Sequence, residues 1–407
     1  MKVDKLLQIN SVVNRGSTGR IAEEIGELAI NNGWESYIAY GRESGESKSQ
    51  TIRIGNDFDI KMQGLKTRLF DKHGFSSGRA TKEFIKKINK IKPDIIHLHN
   101  LHGYYLNIEI LFKYLATIDT PIVWTLHDCW PITGHCAYFD FVGCYKWKDV
   151  CYKCPQKRSY PGSLWVDRSK ENFLLKKKLF NSVKNLTLVP VSNWLAVIIK
   201  QSFLSSYPIK VINNGIDTNV FQPIKKDIFR EKYNLGNKFI ILGVAAVWNE
   251  RKGLKDFLEL NKKLYENYQI ILVGLTNAQL KILPQNIIGI TRTNNVTELA
   301  EIYSSSDVFV NPTWEDNFPT TNLEAMACGT PVITYNTGGS VESVSEKTGY
   351  IVKKGDISGL VKTIEHLKKR GKNYYSNACV NRVKNLYNKN DRYLEYLNLY
   401  EKLLIKN

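Results

Sequence analysis

Residues 311–339 read NPTWEDNFPTTNLEAMACGTPVITYNTGG. Just before them, Asp307-Val-Phe-Val310 is a short apolar run of the kind that forms a parallel strand buried on both faces. Asn311-Pro312 breaks the run, and Trp314 to Pro319 make a polar loop at the strand's carboxyl end. Thr320 or Thr321 is expected to cap a short helix over 322–328, and Gly329 to stop it. Pro331-Val-Ile-Thr334 is then the next strand. A strand–loop–helix–strand unit puts its loop where open α/β sheets hold ligands. Backbone N–H groups at the helix start suit an anionic or hydroxyl-rich ligand. Asp316 and Glu324, with seven residues between them, add two carboxylates, which accept hydrogen bonds from the vicinal diols of sugars and riboses. Taken alone, these pieces also describe an acidic loop followed by a capped helix.

Working outward, Lys5-Leu-Leu-Gln-Ile9 is a first strand, followed by a loop over 10–20 with Gly16 and Gly19, then a helix from Ile21. That succession makes a phosphate or sugar cradle, though G-x-x-G is a weak motif. Glu35–Tyr40 is a second strand and residues 43–57 read as loop. Residues 58–73 place Met62, Leu65 and Leu69 at helical spacing among Lys61, Lys66, Arg68 and Lys72. The pattern permits a membrane-surface helix, but a short apolar stripe favours one packed on the protein. Residues 93–99 and 121–128 are buried strands ending in His97, His99 and His127; with His102 these read as polar lining at strand ends rather than a metal site. Residues 185–191 form another strand, a linker lies near 206–232, and a second strand–helix series starts at Phe239. Asn249-Glu-Arg251-Lys252-Gly253 then places two cations at a helix start, suited to a diphosphate. A solvated helix cap is the plain alternative.

The 311–339 string closely resembles the E-x7-E segment of retaining glycosyltransferases of the GT-B fold, the large family 4. Asp316 stands where that family usually has its first Glu, and Glu324 matches the second. Cys328-Gly-Thr-Pro331, Gly338-Gly339, the Thr125-to-Asp128 string, the Asn214-to-Asp217 turn and Lys252-Gly253 match as well. The resemblance implies an α/β protein of two doubly wound Rossmann-like domains facing a central cleft. These are an acceptor domain over 1–205, a nucleotide-sugar domain over 206–386, and a C-terminal helix over 387–407 returning to the first domain. It implies retaining transfer of a hexosyl group from a nucleotide-sugar to a glycan or lipid-linked acceptor, in building a cell-surface polysaccharide. His127 and Asp316 would position the sugar, Lys252 would stabilise the leaving diphosphate, and Glu324 would hold the ribose. Gly16, Gly19, Arg251, Arg292, Asn317, Phe318, Thr320 and Thr321 complete the implied donor site. The family's second phosphate-binding Arg is missing, Ala246 standing in its place; Arg251 or Arg292 is expected to compensate. No D-x-D string at a strand end calls for a catalytic Mg²⁺ or Mn²⁺.

Residues 129–160 are an insertion that the family core does not supply. Cys151-x-x-Cys154 is half of a zinc knuckle, while Cys136 and Cys144 are spaced too widely for the usual other half. A structural Zn²⁺ on Cys136, Cys144, Cys151 and Cys154 is expected, with ordinary thiols as the alternative.

The chain has 407 residues, 43% hydrophobic and 24% charged, with seven Cys and a formal net charge of +18. That length calls for more than one core, and no apolar run is long enough to span a bilayer. A cytosolic protein with reduced thiols is expected, touching the anionic inner face of the membrane at most peripherally. The lysines are scattered, which argues against a nucleic-acid partner and fits a phosphate-bearing substrate, an anionic surface or simple lysine-rich composition. A sugar-nucleotide epimerase or phosphorylase on the same fold is the other enzymatic reading.

Overall fold

The computed structural model describes residues 3–225 and 228–405. The chain divides into two compact units, Met1–Asn213 with Arg392–Asn407, and Asn214–Asp391. The first is built on β1 (Lys5–Ile9), β2 (Glu35–Tyr40), β3 (Gln50–Arg53), β4 (Ile95–Leu98), β5 (Ile122–Leu126) and β6 (Leu186–Pro190), in the order β3-β2-β1-β4-β5-β6. The second has β7 (Phe239–Val244), β8 (Tyr268–Val273), β9 (Ile287–Ile290), β10 (Val308–Asn311), β11 (Val332–Tyr335) and β12 (Gly349–Val352), in the order β12-β11-β10-β7-β8-β9. Every pairing between these strands is parallel. Both sheets are therefore doubly wound in the same sense, and the winding reverses between β1 and β4 in one and between β7 and β10 in the other. In such sheets the crevice outside the strand ends at the reversal is where ligands sit. The strands IIHL (β4), IVWTL (β5) and VFVN (β10) are buried at every position, as helices on both faces require.

Four details differ from the sequence reading. Residues 43–57, read as loop, contain β3, a mostly exposed edge strand whose residues Gln-Thr-Ile-Arg carry no apolar pattern. The helix after β1 starts at Gly16, not Ile21, so Gly16 and Gly19 lie in its first turn rather than in a loop. The helix of 311–339 spans Thr320–Ala327 and follows Pro319 with no side-chain cap, so Thr320 and Thr321 are its first residues and not its caps. Finally, the helix Asp57–Phe70 is not packed through its apolar stripe. It buries Gln63 and Thr67, whose hydrogen bonds reach Leu106 O, Ser77 Oγ and Gln63 O. Phe58, Leu65 and Phe70 are exposed.

The C-terminal helix Lys389–Ile405 returns its last stretch to the first unit. There Tyr393, Tyr396, Leu397 and Tyr400 form one core with Leu6, Ile21, Ile25, Ile95 and Val123. Among the described residues no helix is long and apolar enough to cross a membrane.

Candidate active site

In the second unit the loops after β7 and β10, the two strands at the reversal, are laced together. Arg251 O accepts from Trp314 N at 2.8 Å, and Arg251 Nη1 donates to Glu315 O at 2.6 Å. Gly253 (φ +77°) lies against Pro312, whose carbonyl oxygen would sit 2.2 Å from a Cβ at that position. Gly338 (φ +54°) allows the same intimacy with Asp316, whose carbonyl accepts from Gly339 N at 3.0 Å. Only glycine fits both a positive φ and such an approach. The lacing brings Lys252 Nζ to 2.5 Å from Asp316 Oδ2. Burial lowers the Lys252 pKa from its ordinary value, Arg251 adds to this, and Asp316 opposes it. An ammonium and a carboxylate thus face each other beside the uncapped start of the helix Thr320–Ala327, whose N–H dipoles favour anions.

The other donor-site candidates divide by position. Asn317 and Phe318 are buried on the loop itself, and Thr320 and Thr321 are half-buried at the helix start. Glu324 is buried one turn further along, where Tyr303 Oη donates to its Oε2 at 3.0 Å. Arg292 is exposed just beyond β9, with β8 between that strand and β7. That places it roughly 10 Å across the sheet from the β7 loop.

In the first unit, His127 follows β5 and joins a buried relay. Gln8 Nε2 donates to Ala22 O at 2.7 Å, which turns Gln8 Oε1 toward His99 Nε2, 3.0 Å away. His99 Nε2 must therefore carry the proton. Burial, with His97 and His127 nearby, holds the His99 pKa well below its ordinary value, so the ring is neutral and its Nδ1 accepts. His127 Nε2, at 3.2 Å, is then the donor, leaving Nδ1 of His127 as an acceptor. Burial also lowers His127 to about 4, against the pull of Asp128. His97 belongs to the core, bonded to Thr125 and to Tyr400 of the C-terminal helix. His102 pairs instead with Asp128 at 2.6 Å and with Tyr160 Oη at 2.9 Å. The Asp128 carboxyl, though burial would raise it, is held below its usual range by His102 and by the Trp130 N–H. Gly19 lies close against Val12 and Asn14, while Gly16 is exposed at the helix start.

Residues 18–220 match the profile described as Glycosyltransferase Family 4, and residues 225–385 match Glycosyl transferases group 1. The chain is a GT-B glycosyltransferase. It is 25% identical over 372 residues to a putative colanic acid biosynthesis glycosyl transferase of Escherichia coli, covering 88% of this chain and 89% of that one. It is 28% identical over 282 residues to the N,N'-diacetylbacillosaminyl-diphospho-undecaprenol alpha-1,3-N-acetylgalactosaminyltransferase of Campylobacter jejuni, 64% of this chain and 73% of the other. A sucrose-phosphate synthase from Thermosynechococcus elongatus shares the fold, with a TM-score of 0.76 at 18% identity over 99% of this chain and 100% of that one.

In this glycosyltransferase the reading from sequence missed three features: Gln8 and His99 behind His127, the Asp128–His102–Tyr160 chain, and the pairing of Lys252 with Asp316. The His-rich strand ends were a signal for the first two. The third had none, since 64 residues separate the pair. Among the described residues, no group of three or more His, Cys, Asp or Glu side chains is set to hold a metal ion. Cys136, Cys144, Cys151 and Cys154 nevertheless line one small cavity, together with His135.

Proposed function

We propose that this glycosyltransferase moves a hexosyl group from a nucleotide-diphosphate sugar, with retention and without a catalytic metal, to a glycan or lipid-linked acceptor of a cell-surface polysaccharide. The observation that carries the proposal is the Lys252–Asp316 pair, held by glycine-tight loops at the sheet reversal beside an uncapped helix start. When a donor enters, its phosphates take the Lys252 ammonium, and Asp316, released from the pair, accepts hydroxyls of the sugar. Charge grows on the leaving diphosphate as the glycosidic bond lengthens. Lys252 and the helix dipole stabilise it there more than in the ground state. The acceptor hydroxyl attacks on the face the diphosphate leaves, and the departing phosphate takes its proton. His127, neutral and accepting through Nδ1, positions a sugar hydroxyl. Glu324 binds the ribose diol. Arg251 braces the Lys252 loop by its bond to Glu315 O, a positioning duty rather than the phosphate contact the motif implied.

The lipid-linked acceptor of the Campylobacter relative supports an acceptor of that class here. So does the helix Asp57–Phe70, with Phe58, Leu65 and Phe70 exposed among Lys61, Lys66 and Arg68. Leu164 and Trp165 are exposed beside it, Leu164 N donating to Arg68 O at 2.8 Å. An apolar face ringed by cations suits an anionic bilayer surface and supports a peripheral place for the enzyme on the inner face of the membrane.

Steady-state transfer kinetics on Lys252→Ala test the chemistry, with folding checked by thermal melts. The kcat should fall by about 10²-fold or more, as for loss of a preorganised donor, with a smaller effect on donor KM. A variant that raises only KM would make Lys252 a ground-state binder and overturn the mechanism.

A further inference from the structure

We infer that the insertion after β5 holds one structural Zn²⁺ on Cys136, Cys144, Cys151 and Cys154, supported from behind by His135, Asp71 and Lys176. The four sulfurs come from three separate stretches of irregular chain, Cys151 and Cys154 sharing one, yet they line one cavity whose other walls include Phe139, Trp147 and Pro155. The Cys136 and Cys154 thiols are hydrogen-bonded to each other, and Cys151 is within electrostatic reach of Cys144 and Cys154. Only short 3-10 turns order this stretch, Trp130–Ile132, Asp140–Val142 and Lys146–Lys148. A segment with so little regular structure needs another tie, and four soft donors around a dry pocket are what zinc uses.

The surroundings of the thiols favour the ion over a set of ordinary cysteines. His135 lines the same cavity and is buried; its Nδ1 is held by Asp71 Oδ1 at 2.6 Å, while its Nε2 is buried without a hydrogen-bond partner. Asp71 is itself buried, and fixed by Arg168 N at 2.8 Å. A carboxylate that orients a histidine toward a metal centre is the usual outer layer of such sites. The histidine thus brings an unpartnered, buried Nε2 to the wall that the sulfurs share. Lys176 is 1% exposed, its Nζ bonded to Trp130 O at 2.8 Å and Thr133 O at 3.1 Å, within electrostatic reach of Cys136 and Cys151. Four thiolates on Zn²⁺ leave two net negative charges in a buried place, and the Lys176 amine beside them opposes that charge. The donors stand looser than in a filled site, since no three of them are set to hold an ion. Binding must therefore draw the sulfurs together, and it displaces the thiol protons to solvent.

The test is elemental analysis of the full chain, expressed with zinc and purified without chelator, alongside intact mass without reductant. About one zinc per chain is expected, with no mass loss from disulfides. Cys151→Ser and Cys144→Ser should fall below about half an equivalent. Cys129→Ser, buried outside the cavity, should keep its zinc. His135→Gln should keep the stoichiometry but lose zinc to a competing chelator 10- to 100-fold more readily, roughly the effect of removing an outer-layer partner. If the cysteine variants fail to fold, chelator titration of the wild-type chain decides, since zinc release should lower its melting temperature. Substoichiometric zinc in the wild type, paired disulfides by mass, or full zinc in Cys151→Ser would overturn the site. An unchanged chelator response in His135→Gln would remove His135 from it.

Discussion

Lys252 and Asp316 occupy each other until a ligand arrives, and this sets an order among ligands. A nucleoside diphosphate offers phosphates to Lys252 but nothing to Asp316, which would be left half-buried without its cation. A nucleotide-sugar offers both. Asp316→Asn removes the competing carboxylate, so it should bind nucleoside diphosphate more tightly than wild type does, by roughly 10- to 100-fold if a hydrogen-bonded charge pair is worth about 1.5–3 kcal/mol. It should gain nothing for the intact sugar donor. Calorimetric titration of both ligands reads this, and equal gains for the two would show that Asp316 does not meet the sugar. At Glu324 the confounding partner is Tyr303. Glu324→Ala strands that hydroxyl as well as any ribose contact, whereas Glu324→Gln keeps an acceptor for it. Donor binding should weaken by about 1.5–3 kcal/mol in the alanine variant. Ordinary donor affinity in a folded alanine variant would count against the ribose assignment. His127 carries a pH signature. Its folded pKa, about 4, is below the unfolded value of about 6.5, so the unfolded state binds the extra proton first. Its stabilising contribution is complete above pH 6.5 and drains away as pH falls toward 4. Denaturant unfolding between those limits should show proton uptake that drops by about one proton in His127→Gln. An unchanged uptake would mean that the ring is already charged in the fold.

At the scale of elements, what was legible followed apolar pattern. β4, β5 and β6 lie inside the apolar runs over 93–99, 121–128 and 185–191, because parallel strands buried on both faces need such runs. β3 escaped because an edge strand can be polar. The early start of the helix at Gly16 escaped because a Gly–Ser–Thr–Gly opening looks like loop, whereas in the fold Gly19 sits in the first turn close against Val12 and Asn14. The helix Asp57–Phe70 escaped for a different reason. Period alone cannot say which face of an amphipathic helix is turned inward, and here polar Gln63 and Thr67 are buried through hydrogen bonds that no spacing encodes. The outward apolar face yields the prediction for this element. The double variant Phe58→Glu with Leu65→Glu should bind anionic phospholipid vesicles at least tenfold more weakly in co-sedimentation, since burial of each such side chain is worth about 1.5–3 kcal/mol. Its melting temperature and its turnover of a water-soluble acceptor should hold. Unaltered vesicle binding would place the lipid contact elsewhere.

For the whole molecule, the revealing element is the last one. Residues 392–405 come after the second unit in sequence but complete the core of the first. Their hydroxyls are not spectators. Thr125 Oγ1 donates to Tyr396 Oη at 3.1 Å and must then accept from His97 Nε2 at 2.7 Å. His97 is neutral, because burial, with His127 nearby, keeps its pKa well below the ordinary value. Its Nδ1 therefore accepts from Tyr400 Oη, 2.7 Å away. Removing the helix would open the apolar face around Leu6, Ile95 and Val123 and also strand a buried imidazole nitrogen. Both losses fall on the first unit alone. Tyr396→Ala by itself should cost on the order of 3–5 kcal/mol, the range for deleting a large buried aromatic. A single melting temperature is a poor gauge in a chain of two units, so hydrogen exchange resolved by peptide is the measurement. Peptides covering β1, β4 and β5 should lose protection in Tyr396→Ala, and lose most of it when the chain ends at Asp391. Peptides covering β7, β8 and β10 should keep theirs. Loss spread evenly over both sheets would mean that the two units unfold as one, and that the final helix stabilises the whole chain rather than the unit it completes.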